Sequence, residues 1–129
     1  MNHIALPTAD PARGARFYRD VLGFQEVARP AFSFDGRWLY RKEARVMIHL
    51  IHDTNYQPPT GAINTLGHHF ALQCNEIDSA RAMLAGKGLE TVERTLPDHG
   101  FRKIFFRDPD GNVIEMGQWP DVHDMVAAD

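Results

Sequence analysis

A chain of 129 residues is long enough to bury one core and too short for two independent ones. Its 14 Lys and Arg against 17 Asp and Glu leave a net charge of −3 with no basic stripe, which excludes the electrostatic footprint of a nucleic-acid binder or of a protein held on an anionic membrane. The apolar runs are too short to span a bilayer, no leader pattern is visible, and the single cysteine, Cys74, excludes an internal disulfide, so a cytoplasmic protein is expected.

The first segment, "HIAL" from His3, reads as a strand. Asp10-Pro11 then looks like an N-cap followed by proline at the first helical position, and apolar residues at Ala12, Ala15, Tyr18 and Leu22 run up to a stop at Gly23. "AFSF" and "RWLY" flank Asp35-Gly36, the signal for a hairpin with a two-residue type I′ turn. "RVMIHLI" supplies another strand, with His49 set among its apolar residues. Residues 54–67 carry Pro58-Pro59 and Gly61 and read as an extended connector. "HFAL" from His69 is again a strand, and "EIDSARAMLAGKG" a second helix, with Ile77, Ala80 and Met83/Leu84 on one face and Gly88 as its stop. "DHGFRKIFF" and "NVIEM" close the pattern, and residues 120–129 read as a frayed tail.

The chain repeats itself. "HIAL" matches "HFAL" at an offset of 66 residues, "VMIHL" matches "NVIEM" at the same 66, and the helices align at 65. Each half is strand, helix, three strands: an α+β domain over residues 1–119, with one module at about 1–53 and the other at about 68–119. The offset pairs His3 with His69 and His49 with Glu115. Strand alternation sets His3 beside Ala5 and His69 beside Ala71 and Gln73, which would leave space in a concave interior. Packed about a pseudo-twofold, the four side chains converge. Three imidazoles and a carboxylate suit one Zn, Fe, Mn, Ni or Co ion, and His-His-Glu with open positions is the arrangement of non-haem Fe(II).

"NHIAL", "FYRDVLGF", "HHFAL" and "FRDPDGNVIEM" resemble the vicinal oxygen chelate superfamily, which includes glyoxalase I, methylmalonyl-CoA epimerase, extradiol dioxygenases and the fosfomycin- and bleomycin-resistance proteins. The resemblance covers about residues 1 to 119. It implies two βαβββ modules forming a cupped mixed sheet around a divalent metal, a homodimer, a small-molecule substrate, and ligands at His3, His69 and Glu115. His49 falls on the fourth ligand position, where the isomerases carry a carboxylate or an amide. With one carboxylate instead of two the ion keeps more positive charge and is a stronger Lewis acid, while the base for proton abstraction must be Glu115 or a free residue. The activity implied is that of a glyoxalase-like lyase or isomerase acting on a chelating carbonyl or diol. The alternatives are an Fe(II) extradiol-type dioxygenase and a metal-free binder of an antibiotic-like molecule. A fosfomycin-type transferase would carry basic residues after the final glutamate, and "MGQWPDVHDMVAAD" has none.

Arg37, Tyr40, His99 and Arg102 lie in the third strand of module one and its equivalent in module two. They face either the interior, where they would bind substrate, or the solvent. His68 would replace His69 as ligand only if the strand register slipped by one.

Overall fold

The computed structural model describes residues 1–97 and 100–119. His99 and the tail from residue 120 lie outside the described residues, so the expectations for them stay as stated. Elements follow the order β1 (His3–Thr8), α1 (Pro11–Leu22), β2 (Gln25–Val27), β3 (Gly36–Arg41), β4 (Val46–His52), β5 (His69–Gln73), α2 (Ile77–Gly86), β6 (Val92–Thr95), β7 (Arg102–Arg107) and β8 (Val113–Gly117). They build two four-stranded mixed sheets of identical topology, β1-β4-β3-β2 and β5-β8-β7-β6. The chain divides into two compact units, one of residues 1–62 with 107–112, the other of residues 63–106 with 113 onward. The boundary falls inside the expected connector, but the loop at 107–112 joins the first unit.

In the first unit α1 begins where the sequence places it. The Asp10 side chain accepts from Arg13 N at 3.1 Å, Pro11 fills the first turn, and Gly23 turns left-handed (φ 70) so that Phe24 N donates to Tyr18 O at 3.0 Å. Ala15, Tyr18 and Leu22 bury against Leu39, Ile48 and Leu50 of the sheet. Gly14 allows this approach: a Cβ there would lie 2.8 Å from Leu50 Cδ1.

The expected Asp35-Gly36 hairpin is corrected by the structure. Residues 28–35 form a loop, and β3 pairs antiparallel with Gln25–Val27 instead of with "AFSF". A type I′ turn needs positive φ at both central residues, and Gly36 is not among the glycines with positive φ; it opens β3, where a Cβ would collide with the Leu50 carbonyl. The aromatic run is held as a loop by Arg29, whose guanidinium lies 4.7 and 5.0 Å from the Phe32 and Phe34 ring centres and donates to Phe34 O at 2.8 Å.

The loop at 107–112 brings two buried carboxylates to β1 and α1. Asp110 accepts from Thr8 Oγ1 (2.6 Å), Ala9 N (2.8 Å) and Arg13 Nη2 (3.0 Å). Asp108 accepts from Tyr18 Oη (2.7 Å), Asp110 N and Asn112 N (2.9 Å each) and Asn112 Nδ2 (2.9 Å). The connector joins them, Tyr56 Oη donating to Asp110 O at 2.8 Å. Such a network is favourable because each oxygen of the two buried carboxylates has at least one donor.

The second unit repeats the plan. Ile77, Ala80 and Leu84 of α2 are buried, as are Leu72, Ile104, Phe106 and Ile114 of its sheet. Glu76, the N-cap, makes no side-chain cap, and Gln118 Oε1 accepts from Ile77 N at 3.2 Å in its place. Gly88 (φ 71) ends the helix as expected.

Burial raises the Asp108 carboxyl above its ordinary value, and hydrogen bonds from Asn112, Tyr18 and Asp110 only partly oppose this. Tyr18 remains a donor, since burial first and Asp108 second push its hydroxyl well up. An acid with a raised pKa binds more protons folded than unfolded, so its stabilising share is complete below 3.8 and is lost as pH rises through the folded value. Tyr18→Phe removes a donor that favours the carboxylate, moving that folded value higher. The variant should lose about 1.5–3 kcal/mol at pH 7 and distinctly less near pH 4, measured by urea unfolding at both pH values.

Candidate functional site

Parallel pairing places the candidate ligands. In the first unit Ala5 pairs with His49, and in the second Ala71 pairs with Glu115, so a histidine two residues earlier, His3 or His69, shares the face of its partner in each sheet. Each unit thus brings two of the four together. Among the described residues no group of three or more His, Cys, Asp and Glu stands together as a metal-ion set.

His49 is clamped between two rings. Its centroid is 3.9 Å from that of His3 (13° between planes) and 4.4 Å from that of its cross-strand partner Trp38 (9°). Its Nε2 is buried without a hydrogen-bond partner, and burial, then the His3 and Arg29 charges, hold its pKa below 6.5. A neutral imidazole with an unused buried lone pair fits a ligand. The stack restricts how: imidazole binds metal in the ring plane at about 2.0–2.1 Å, and two parallel rings 3.9 Å apart cannot both do so to one ion. His3 is exposed, with Nδ1 2.9 Å from Asn2 Oδ1, and of the two rings it is the one that would have to leave the stack for both to reach one ion.

In the second unit His69 Nδ1 lies 2.8 Å from Gly67 O and Nε2 lies 3.1 Å from Glu115 Oε2. A carbonyl oxygen only accepts, so Nδ1 carries a hydrogen. Nε2 and the carboxylate then need a positive charge between them, a proton or a metal ion. Glu115 is 6% exposed and His69 27%. The other carboxylate oxygen, Oε1, is 3.3 Å from Lys103 Nζ, and that ammonium lies 5.4 Å from the ring centre of Phe105, which meets His69 edge-on at 5.3 Å. His68 precedes β5, and it is His69 that shares the face of Glu115, so the strand register is not slipped by one.

The substrate-binding candidates separate by strand parity. Tyr40 pairs with Met47 and lies on the His49 side. Arg37 pairs with Leu50, on the helix side, where it is ion-paired with Glu26 (3.1 Å) and Asp35 (3.2 Å). Arg102 is likewise turned to α2, 3.0 Å from Asp78, whose carboxyl it lowers. An open groove of about 490 Å³ runs past Ala5, Pro7 and Ile51, which share the strand parity of His3 and His49, to His52 at the end of β4. Sequence reasoning passed over Trp38 and Lys103. The second carried no usable signal: the 66-residue offset pairs it with Arg37, which lies on the helix side, whereas Lys103 meets Glu115 on the other face.

Residues 1–116 match the family model for the Glyoxalase/Bleomycin resistance protein/Dioxygenase superfamily. The chain belongs to that superfamily. Similar superfamily proteins include Glyoxylase I 4 of Arabidopsis thaliana, 28% identical over 119 residues (90% of this chain, 68% of the relative). Virulence protein STM3117 of Salmonella typhimurium is 29% identical over 125 residues (92% and 83%). Among solved structures, the fosfomycin resistance protein FosX of Listeria monocytogenes superposes with a TM-score of 0.79 at 20% identity, covering 97% of this chain and 94% of that one. Lactoylglutathione lyase of Agrobacterium tumefaciens superposes with a TM-score of 0.70 at 22% identity, covering 92% of each. At such identities the likeness is one of fold. Among the described residues no helix is long and apolar enough to cross a membrane.

The contacts of His69 set its protonation pattern. Long-range ¹H–¹⁵N spectra should find its Nδ1 protonated, either as that neutral tautomer or within an imidazolium, and never the Nε2–H tautomer alone. Finding the latter would mean that the Gly67 contact is not made in solution.

Proposed function

We propose that this protein is a divalent-metal-dependent enzyme, a glyoxalase-like lyase or isomerase, with His3, His49, His69 and Glu115 as the residues that would hold one ion. The observation that carries this reading is the contact between His69 Nε2 and Glu115 Oε2, where a proton or a divalent ion would sit, at the same register as the His3–His49 pair, whose His49 Nε2 is buried without a partner. When bound, the ion supplies Lewis-acid polarisation of a chelating carbonyl or diol. Glu115, the carboxylate of the set, would accept a proton, its two oxygens held in place by Lys103 at Oε1 and His69 at Oε2. Trp38 fixes the plane of His49, and Tyr40 stands on the same face to bind substrate.

A second reading has one observation of its own: Lys103 already neutralises Glu115, as in a metal-free binding protein. An Fe(II) extradiol-type dioxygenase would use the same ligands.

Protein purified without chelator or His tag should contain about one equivalent of a first-row divalent metal per chain, lost in His69→Ala and in Glu115→Ala. Oxygen-independent turnover of hemithioacetals in a screen with Fe²⁺, Mn²⁺, Ni²⁺ and Zn²⁺ supports the lyase or isomerase. Ring cleavage requiring O₂ and Fe²⁺ selects the dioxygenase, and no affinity tighter than micromolar for any of these ions selects the binder.

The assembly proposed is a homodimer in the cytoplasm. Light scattering at micromolar concentration should give twice the 14.6 kDa chain mass; a monomer there refutes it.

A further inference from the structure

Resting on the metal-dependent reading, we propose that Lys103 is a resident counter-cation of Glu115 that weakens this site's hold on a divalent ion.

The two oxygens of Glu115 are already engaged, Oε2 by His69 at 3.1 Å and Oε1 by Lys103 at 3.3 Å. The carboxylate is almost fully buried, at 6% exposure, so water does little to screen what approaches it. An ion binding Glu115 meets a unit positive charge a few ångströms away, held by a contact it must loosen or share. Lys103 is not bound there tightly. Its side chain is 25% exposed, its stem is flexible, and its ammonium rests near the face of Phe105. Displacement is therefore possible, with Phe105 as a second resting place for the ammonium. A released ammonium, with three donors on the ligand face, suits an anionic oxygen beside the chelating oxygens of a substrate.

The parity of β7 supports a role for this residue over its neighbours. Lys103 and Phe105 point to the Glu115 side, while Arg102 is committed to Asp78 on the helix side. Lys103 is thus a strand cation in direct contact with Glu115, and a positioning residue for that carboxylate.

The test is calorimetric titration of Zn²⁺ and of Mn²⁺ into chelator-treated full-length protein: wild type, Lys103→Met, Lys103→Arg and His69→Ala, with melting curves to establish folding. Lys103→Met keeps the stem and removes the charge, and should bind both ions at least tenfold more tightly than wild type. Lys103→Arg keeps the charge and should bind no more tightly than wild type. Unchanged or weaker binding by folded Lys103→Met overturns the proposal. If wild type binds and His69→Ala does not while Lys103→Met equals wild type, the metal reading stands and Lys103 plays no part. If neither wild type nor Lys103→Met binds, both fall. Binding by Lys103→Met alone establishes Lys103 as what opposes the ion.

Discussion

The parallel register between the first and last strands of each module is the constraint on which the rest depends. With Ala5 opposite His49 and Ala71 opposite Glu115, each strand-initial histidine lies diagonally beside its partner, on the face away from the helix. A slip of one residue would turn every side chain of the strand over, putting His49 in the core in place of Ile48 and Leu50. The register is held by the helix side, where Leu39, Ile48, Leu50 and Ile114 are almost completely buried. Packing on one face fixes chemistry on the other.

The two pairs solve the same placement problem with different physics. In the first sheet, stacking orients His49: Trp38 and His3 leave it no freedom to tip, and what remains polar about it is an in-plane nitrogen with no partner. In the second, charge does the orienting, His69 and Lys103 gripping opposite oxygens of a buried carboxylate. A ring clamped by rings is set by shape and responds weakly to salt. A carboxylate held between an imidazole and an ammonium answers to the charge nearest it.

Much of this was legible in the sequence. The offset of 66 residues carried both modules and both pairs, because alternation in a strand is strict and a repeated unit repeats its inward positions. The caps of α1 and the stop of α2 were legible because they rest on local chemistry. The "AFSF" strand failed because alternating aromatics do not distinguish a strand from a loop consolidated by a single arginine. The facing of Arg37 and Arg102 followed from exact pairing, which composition does not reveal, and among the described residues it leaves Tyr40 as the substrate-binding candidate on the His49 face. Lys103 escaped notice since a lysine in a strand reads as a solvated edge; only its distance to Glu115 says otherwise.

The hydrogen bond from Thr8 to Asp110 spans 102 positions of the chain. A ribosome making this protein releases Thr8 102 residues before Asp110, so the first module leaves the exit tunnel with a hydroxyl, a phenol and the start of α1 all lacking their acceptors. Its helix and sheet can form, but the polar interior cannot close until the loop after β7 arrives. Topology of this kind raises contact order and slows folding. It also makes the first module, cut at the connector, an incomplete object: the duplication visible in the sequence did not leave two halves that each carry their own keystone.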